Sequence, residues 1–218
     1  MSLIPVYTPK LVKSLFPNLV WDVPTKGKTI YLTFDDGPTP EITEWTLDIL
    51  KQFDAKATFF CIGKNINANP RIFKKIINYG HAVGNHTLNH LKGWQTKSQS
   101  YIDNIKEAQS IIDKYNDADQ NAKFFRPPYG QISPVQIKKI LALNYKIIMW
   151  TVLSIDWDKN VTNEQCLKNV IENTNLGTIV VFHDSIKAWG NMKYVLPKTL
   201  EYFSERGYKF KRIPEQVQ

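Results

Sequence analysis

Residues 29–38 of the chain read TIYLTFDDGP. The run 29–34 is apolar and β-branched, which predicts a short buried strand. Asp35 and Asp36 follow it directly, and Gly37-Pro38 marks a turn. The segment therefore predicts two adjacent carboxylates at the carboxyl end of a buried strand.

The same pattern of a buried strand followed by an amphipathic helix repeats along the rest of the chain. Six further apolar runs predict strands at 57–61, 81–85, 123–125, 145–150, 178–182 and 208–212. Apolar residues at helical spacing predict helices at 41–53, 70–79, 99–115, 134–143, 164–173 and 192–206. Such alternation predicts an α/β fold with a parallel sheet.

Polar side chains at the strand ends distinguish a barrel from an open sheet. In an open sheet only the loops at the switch point converge, whereas the carboxyl ends of all strands surround the mouth of a barrel. Five predicted strands are followed by such residues, namely Asp35 and Asp36, His86 and His90, Arg126, Ser154 and Asp156, and His183. The prediction is a distorted (β/α) barrel with about seven parallel strands, whose closure is irregular or has a gap.

One barrel domain with an N-terminal extension is expected. The chain has 218 residues, 43% of them hydrophobic, which is enough for one large core. Residues 29–218 form the barrel domain in this prediction, and residues 1–28 pack on its outside or bottom. No run of eighteen apolar residues occurs, so no transmembrane segment is predicted. The N-terminus lacks the pattern of a secretory signal, which leaves cytoplasmic and exported locations both open.

The chain is basic, with a formal net charge of +8 and a pI near 9.3. Its lysines are spread along the sequence and no nucleic-acid-binding motif accompanies them, so we expect a solvated face and no nucleic-acid partner. The charge also suits an anionic cell-wall polymer. Cys61 and Cys166 lack the spacing of a zinc ribbon or a disulfide framework and are expected to be buried.

Two histidines and two carboxylates form a candidate metal site. His86 and His90 are four residues apart, and on a helical turn both imidazoles would point in the same direction. Asp35 and Asp36 leave their strand in different directions, so one could bind a metal while the other faces a substrate. Two histidines and one carboxylate suit catalytic zinc, although iron(II) oxygenases use the same ligand types. The alternative for the aspartates is a turn and helix-capping pair.

Two further motifs complete an ordered set. RPPYG at 126–130 presents an arginine on a backbone stiffened by two prolines, and VFH at 181–183 brings another histidine to a strand end. With TFDDGP at 33–38 and HTLNH at 86–90, the chain resembles a polysaccharide deacetylase of the NodB-homology type, carbohydrate esterase family four. The resemblance runs from about Thr29 to Arg212, with the motifs in the family's order. It implies a distorted (β/α) barrel with fewer than eight regular strands and makes 29–218 the catalytic domain.

The resemblance also implies a metal and a base. Asp36, His86 and His90 would bind a divalent ion, with Zn²⁺ expected. Asp35 would be the general base that takes a proton from the attacking water. Arg126 would orient and tune that base.

The same resemblance supplies the remaining roles. The backbone N–H of Tyr129 would help to bind the oxyanion, and His183 would be the general acid that protonates the leaving amine. Three residues are expected to form the substrate pocket: Trp157, Val181 and Pro127.

One position departs from the family pattern. The family usually places an aspartate, which supports the acid histidine, four residues before the tryptophan that is here Trp157, and this chain has Leu153 there. An imidazolium without its carboxylate partner has a lower pKa. Either His183 is a weaker acid at neutral pH, or a nearby residue replaces the partner: Asp156, Asp158 or Ser154.

Three functions stay open from the sequence. The leading one is removal of N-acetyl groups from a glycan partner such as chitin oligomers or peptidoglycan. Removal of O-acetyl esters from xylan-like glycans makes less demand on the leaving group, and the missing partner of His183 favours it. The third is a glycan-binding protein with weakened catalysis, supported only by Leu153. No GxSxG, HExxH or phosphate-loop pattern occurs.

Overall fold

A curled parallel sheet forms the centre of the molecule. The structure, a computed structural model, describes residues 5–116 and 122–217. The described residues form eight strands: β1 Thr29–Asp35, β2 Thr58–Cys61, β3 Ala82–Asn85, β4 Lys123–Phe125, β5 Tyr145–Ile147, β6 Val152–Leu153, β7 Ile179–His183 and β8 Lys209–Phe210. Seven of them pair in the order β5-β4-β3-β2-β1-β7-β6, and β8 pairs with β1 alone. Every one of these pairings is parallel, which confirms the predicted distorted barrel.

Helices cover the outside of this sheet. They are α1 Lys10–Leu15, α2 Ile42–Gln52, α3 Gly63–Ala68, α4 Pro70–Asn78, α5 Ser98–Tyr115, α6 Pro134–Ala142, α7 Asn163–Asn173 and α8 Trp189–Glu205. The six predicted helices correspond to α2 and to α4 through α8. The helices α1 and α3 were not predicted, because six residues are too few to show a helical period.

Strand β1 lies in the middle of the sheet and is buried along its whole length. Phe34 near its end stacks on Phe59 of β2, with ring centroids 4.9 Å apart, and on Phe182 of β7, at 6.0 Å. All three phenylalanines are fully buried, and burial of one such side chain contributes about 1.5–3 kcal/mol. These stacked rings pack β1 against β2 and β7 close to the carboxyl ends of the three strands.

The barrel is not closed by strand pairing. The predicted strand at 145–150 ends early, since β5 stops at Ile147, and β6 at Val152–Leu153 was not predicted. These two strands form the two ends of the sheet and do not pair with each other. The N-terminal segment lies along this seam. Val20 donates to the carbonyl of Ile147 at 2.9 Å and accepts from Met149 at 2.7 Å, while Thr8 donates to the carbonyl of Thr151 at 2.9 Å. The predicted gap is therefore present and is bridged by the chain's own N-terminal residues.

Because the strands are parallel, their carboxyl ends meet at one side of the barrel. Asp35, Asn85, Phe125 and His183 are the last residues of β1, β3, β4 and β7, so the loops that follow them surround one mouth. Cys61 and Cys166 are free and buried, as expected. Among the described residues, no helix has the length and apolar character needed to cross a bilayer.

Candidate active site

Asp36, His86 and His90 converge at the mouth of the barrel. The Nε2 atom of His90 is 3.2 Å from Asp36 Oδ1, and the Nε2 atom of His86 is 3.7 Å from the same oxygen. One ligand atom from each residue lies within 4.8 Å of the other two. Residues that are about fifty positions apart in the chain are thus close enough to share one cation.

The backbone of HTLNH does not form a helical turn, so the two imidazoles are brought together in another way. Thr87 and His90 have φ values of 64° and 56°, in the left-handed region, so the segment is an irregular loop. Two side-chain amides hold this conformation: Asn85 Oδ1 accepts from the N–H of Thr87 at 2.8 Å, and Asn104 Oδ1 accepts from that of Leu88 at 2.9 Å. Such a backbone costs about 1–3 kcal/mol per residue and is typical of functional sites.

The donor atoms of this cluster fit a divalent cation. His86 Nδ1–H donates to the carbonyl of Arg126 at 2.8 Å, which leaves the lone pair of Nε2 facing the cluster. Burial lowers the pKa of His86 to about 4, so its imidazole is neutral and able to coordinate. Asp36 Oδ1 is buried and has no hydrogen-bond partner among the described residues. An unsatisfied anionic oxygen beside a neutral imidazole is costly unless a cation completes the site.

Asp36 is ionised in this environment. Burial opposes ionisation, but the neighbouring imidazoles of His90, His183 and His86 hold the pKa of Asp36 well below its usual range. Its backbone is also in the left-handed region, with φ at 83°. The side-chain amide of Asn65, which sequence reasoning missed, donates to the Asp36 carbonyl at 2.7 Å and supports this turn.

Asp35 points away from the cluster towards Arg126. Arg126 NH1 donates to Asp35 Oδ1 at 2.7 Å and to Thr33 Oγ1 at 2.7 Å. Its NH2 group donates to the carbonyl of Met149 at 2.9 Å, and its planar group lies 4.1 Å from the ring centroid of Phe60. Arg126 has no exposed surface, so the guanidinium is immobile and fixes one oxygen of Asp35.

Arg126 also connects the two halves of the site. Its side chain holds Asp35, and its backbone carbonyl holds the ring of His86. The RPPYG segment therefore orients a carboxylate and an imidazole at once. Burial lowers the pKa of Arg126 while Asp35 raises it, and a guanidinium stays charged in proteins.

His183 has a carboxylate partner in spite of Leu153. Its Nδ1–H donates to Asp156 Oδ1 at 2.8 Å, and its backbone N–H donates to Asp156 Oδ2 at 2.8 Å. Burial lowers the pKa of His183, but Asp156, followed by Asp36 and Asp35, raises it to about 9. Of the two alternatives, the structure therefore favours a replacement partner, and Asp156 is the one of the three residues that contacts His183.

Leu153 itself has a packing role. It is buried in an apolar cluster with Ile155 and Val181. A carboxylate at this position would have to be buried among apolar side chains, which is unfavourable without a partner.

The other predicted residues surround the same region. Tyr129, with φ at 59°, places its ring 4.6 Å from that of His90, and no described residue accepts a hydrogen bond from its backbone N–H. Trp157 packs edge-on against His183, with centroids 4.8 Å apart. Pro127 is buried, and Val181 is only 1% exposed. A pocket formed by Trp157, Val181 and Pro127 stays a prediction.

Asp184 is a second residue that sequence reasoning missed. Its carboxyl accepts from the N–H of Gly37 at 3.0 Å and from the hydroxyl of Thr43, and a Cβ on Gly37 would collide with it. The contact joins β7 to the turn after Asp36. Burial raises the pKa of Asp184 to about 8. The fourth histidine, His81, lies outside the site, where its Nδ1 accepts from the N–H of Ala57 at 3.1 Å.

Comparisons with known proteins agree with this arrangement. The family model described as polysaccharide deacetylase matches residues 22–148. A peptidoglycan-N-acetylglucosamine deacetylase of Bacillus cereus is 33% identical over 209 residues, which cover 94% of this chain and 96% of the relative. A solved peptidoglycan N-acetylglucosamine deacetylase in complex with a naphthyl-substituted benzamide has a TM-score of 0.85 at 33% identity, over 92% of this chain and 93% of the other.

A family-four pseudoenzyme from Bacillus anthracis is also similar, with a TM-score of 0.78 at 28% identity, over 88% of this chain and 66% of the other. The likeness to a pseudoenzyme means that the fold alone does not establish catalysis in a family member. The family itself follows from the match of its model over more than half of the chain and from the relatives of nearly equal length. The chain therefore belongs to the polysaccharide deacetylase family, carbohydrate esterase family four, and is an enzyme of that family.

Proposed function

We propose that the chain hydrolyses the acetamido group of N-acetylglucosamine units in a peptidoglycan-like glycan, with Zn²⁺ bound by Asp36, His86 and His90. The observation that carries this proposal is the position of Asp35 at the end of β1 and of Asp36 directly after it, between the histidines that follow β3 and His183 at the end of β7. The metal site, the base and the acid of this proposal thereby lie next to one another at the mouth of the barrel. The relative of nearly equal length is named for the same substrate.

Membership of the family implies a divalent metal, and the ligand atoms support zinc. Imidazole nitrogen and carboxylate oxygen in a set of three suit a catalytic zinc with an open position. When bound, such an ion polarises the acetyl carbonyl and lowers the pKa of water towards about 7. His86 and His90 supply neutral nitrogens, and Asp36 supplies the negative charge.

Asp35 is the general base in this proposal. Arg126 occupies Oδ1 of Asp35, so the second carboxylate oxygen is left to take a proton from the attacking water. A fixed base of this kind contributes about 10²–10⁴-fold to the rate. The backbone N–H of Tyr129, which has no acceptor in the described chain, is available to donate to the oxyanion.

His183 is the general acid. The bond from its Nδ1 to Asp156 fixes the ring and leaves Nε2 to carry the proton that is transferred. A pKa raised to about 9 keeps the imidazolium protonated at neutral pH. An amine is a poor leaving group unless it is protonated as it departs, whereas an ester oxygen needs less help. The pairing with Asp156 therefore favours amide over ester hydrolysis.

We expect Asp156→Asn to move the alkaline limb of the pH profile to lower pH. Without the carboxylate, the two effects of Asp156 that oppose burial are lost and the pKa of His183 falls, although the charges of Asp36 and Asp35 still raise it. The protonated acid that is present up to about pH 9 in the wild type is then lost at a lower pH. The measurement is kcat/KM for an N-acetyl oligosaccharide between pH 5 and pH 10.

Asp158→Asn is the matched control for this prediction. It removes a negative charge two positions away, from a carboxylate that accepts from Asn160 rather than from His183. Its profile should stay within about 0.3 pH units of the wild type, which corresponds to ~0.4 kcal/mol. An unchanged alkaline limb in Asp156→Asn would show that His183 is not the acid. Asp156→Asn should slow the hydrolysis of an aryl acetate ester, which has a good leaving group, much less than it slows hydrolysis of the amide.

The ester-hydrolase and binding-only alternatives are tested with the wild type. Acetate release is measured from peptidoglycan fragments, chitin oligomers and acetylated xylan, with zinc and after removal of metal by a chelator. We expect metal-dependent release from the first two at a rate well above that from xylan. Faster release from xylan would favour the ester function. If the folded, zinc-loaded protein releases acetate from none of the three, the binding-only alternative is favoured.

A further inference from the structure

We propose that Trp94 is a stacking platform for a sugar ring of the substrate chain, beside the unit that is deacetylated. The inference rests on the proposed function, because it assigns a binding subsite to the same glycan. None of the sequence motifs includes Trp94, which lies in the loop between HTLNH and α5.

The exposure of Trp94 is unusual for its size. Its side chain is 69% exposed, whereas the other five tryptophans are buried or half-buried. Tryptophan is highly buried on average, since it has the largest apolar surface of any side chain. An indole left in water at the edge of a catalytic mouth is typical of a binding surface.

The platform is rigid. The indole Nε1–H of Trp94 donates to the carbonyl of Ile132 at 3.1 Å, which fixes the orientation of the ring. Gln136, which is buried, holds the backbone on both sides of Trp94. Its Nε2 donates to the carbonyls of Gly93 at 2.9 Å and Thr96 at 3.2 Å. Gly93 is packed so closely on the carbonyl of Gln131 that a Cβ would collide with it.

This rigidity lowers the entropic cost of binding. A surface that is already held in its bound conformation loses little freedom when a ligand arrives. These three hydrogen bonds and the close packing around one exposed ring have no evident use in a solvated loop. They are useful if the ring has to present a flat face in a fixed position.

Trp94 is continuous with the metal cluster. The ring of Tyr129 lies 4.6 Å from that of His90, and Lys92 places its ammonium 5.2 Å from the centroid of Tyr129. Tyr129 is therefore in contact with the cluster and with the loop that carries Trp94. Ile132, which holds the indole, is three residues beyond Tyr129. These contacts link the indole to the residues beside the cluster.

The chemistry of the ring indicates what it binds. The face of an indole carries negative charge from its π electrons, and it attracts groups with a positive edge. The C–H bonds on one face of a pyranose ring present such an edge over a flat apolar area. Tyr129 is also 57% exposed, but it has a lysine cation and His90 against its ring. No ring or cation of the described residues contacts the ring of Trp94, so Trp94 offers an open aromatic face. A neutral sugar next to the acetylated unit is the ligand that fits it.

The test compares Trp94→Ala with the wild type on N-acetylglucosamine oligomers of two to six units. A contact with a neighbouring sugar is made only by chains that are long enough to reach it. We expect KM for the longest oligomer to rise about five- to tenfold, kcat to change less than twofold, and the loss to increase with chain length. Trp94→Tyr should recover much of the affinity, because a flat ring is restored.

Leu176→Ala is the matched control. Leu176 is 50% exposed and precedes β7 at its amino end, on the side of the barrel away from the mouth. Its substitution removes a similar exposed apolar group and should leave the dependence on chain length unaltered. Circular dichroism and thermal unfolding establish that each variant is folded.

A direct binding measurement separates this inference from the proposed function. Calorimetric titration of the hexamer into Asp35→Asn and into Asp35→Asn/Trp94→Ala reports affinity without turnover. Equal affinities of these two proteins would overturn the platform even if the wild type releases acetate. If the wild type releases no acetate but removal of Trp94 still lowers the affinity for the hexamer, the platform is retained and only the catalytic proposal is overturned. Self-association that disappears in Trp94→Ala, with glycan affinity unchanged, would also overturn the sugar assignment.

Discussion

His86→Ala is expected to lose zinc binding and to reduce kcat for deacetylation by at least about a thousandfold. His86 is fully enclosed, and its Nε2 faces Asp36 while its Nδ1 is tied to the carbonyl of Arg126. The variant keeps two ligands, which is below the three that catalytic zinc sites use. Loss of about 4 kcal/mol of stabilisation of the transition state corresponds to about a thousandfold in rate.

Calorimetry and thermal unfolding measure the loss of zinc independently of activity. Zinc at a hundred times its dissociation constant should stabilise the wild type by about 2.7 kcal/mol, and this increment should be absent from His86→Ala. Wild-type protein treated with chelator should recover activity when zinc is added back, and the variant should not. Zinc affinity within a few-fold of the wild type in His86→Ala would remove His86 from the ligand set.

His81→Asn is the matched control for the loss of a buried histidine. The ring of His81 only accepts a hydrogen bond from the N–H of Ala57, and an asparagine oxygen can do the same. Burial, with the charges of Lys56 and Arg212, lowers the pKa of His81 to about 3, so the native ring is neutral. The substitution therefore removes no charge, and zinc affinity should be retained.

The cluster that these experiments address could be predicted because it depends on topology. Asp36 follows β1 and His86 follows β3, and parallel strands bring such positions to the same end of a barrel wherever the strands begin. The order of the motifs also identified the family. The conformation of HTLNH could not be predicted, because the left-handed residues Thr87 and His90 depend on distant partners such as Asn104.

The sequence left three candidates for the partner of His183 and could not decide among them, for a related reason. Leu153 and Asp156 are only three residues apart, and which of them faces His183 depends on the path of the backbone between them. Ile155 has φ at 61°, a conformation that a β-branched residue rarely adopts. This turn directs Asp156 to the imidazole and leaves Leu153 in the apolar cluster. Residue propensities do not predict a turn at Ile155, because the left-handed conformation is unfavourable for a β-branched residue.

Contacts between residues far apart in sequence were missed for the same reason. Asp184 and Gly37 are separated by 147 positions, and neither residue alone indicates that a buried carboxyl will hold the turn after Asp36. The early end of β5 is similar. The run 145–150 is apolar except for Lys146, and beyond Ile147 its backbone pairs with Val20 of the N-terminal segment.

Asp35→Ala is expected to reduce kcat/KM by about 10²–10⁴-fold while zinc affinity stays within about threefold of the wild type. Asp35 contacts Arg126 and is not one of the residues that share the cluster with Asp36. The substitution therefore removes the proposed base and leaves the three ligands. It also leaves the buried guanidinium of Arg126 without its anion, which should cost about 3–5 kcal/mol of folding free energy. Activity is for this reason measured well below the unfolding temperature of the variant.

Rescue by small anions separates the two consequences of losing Asp35. Formate and chloride can both pair with the guanidinium in the space that the side chain leaves, and both should raise the unfolding temperature of Asp35→Ala. Only formate can take a proton from water near neutral pH. We expect formate to restore a measurable fraction of the rate and chloride to restore none. Equal rescue by chloride would mean that Asp35 serves to neutralise Arg126 and that the proton goes elsewhere.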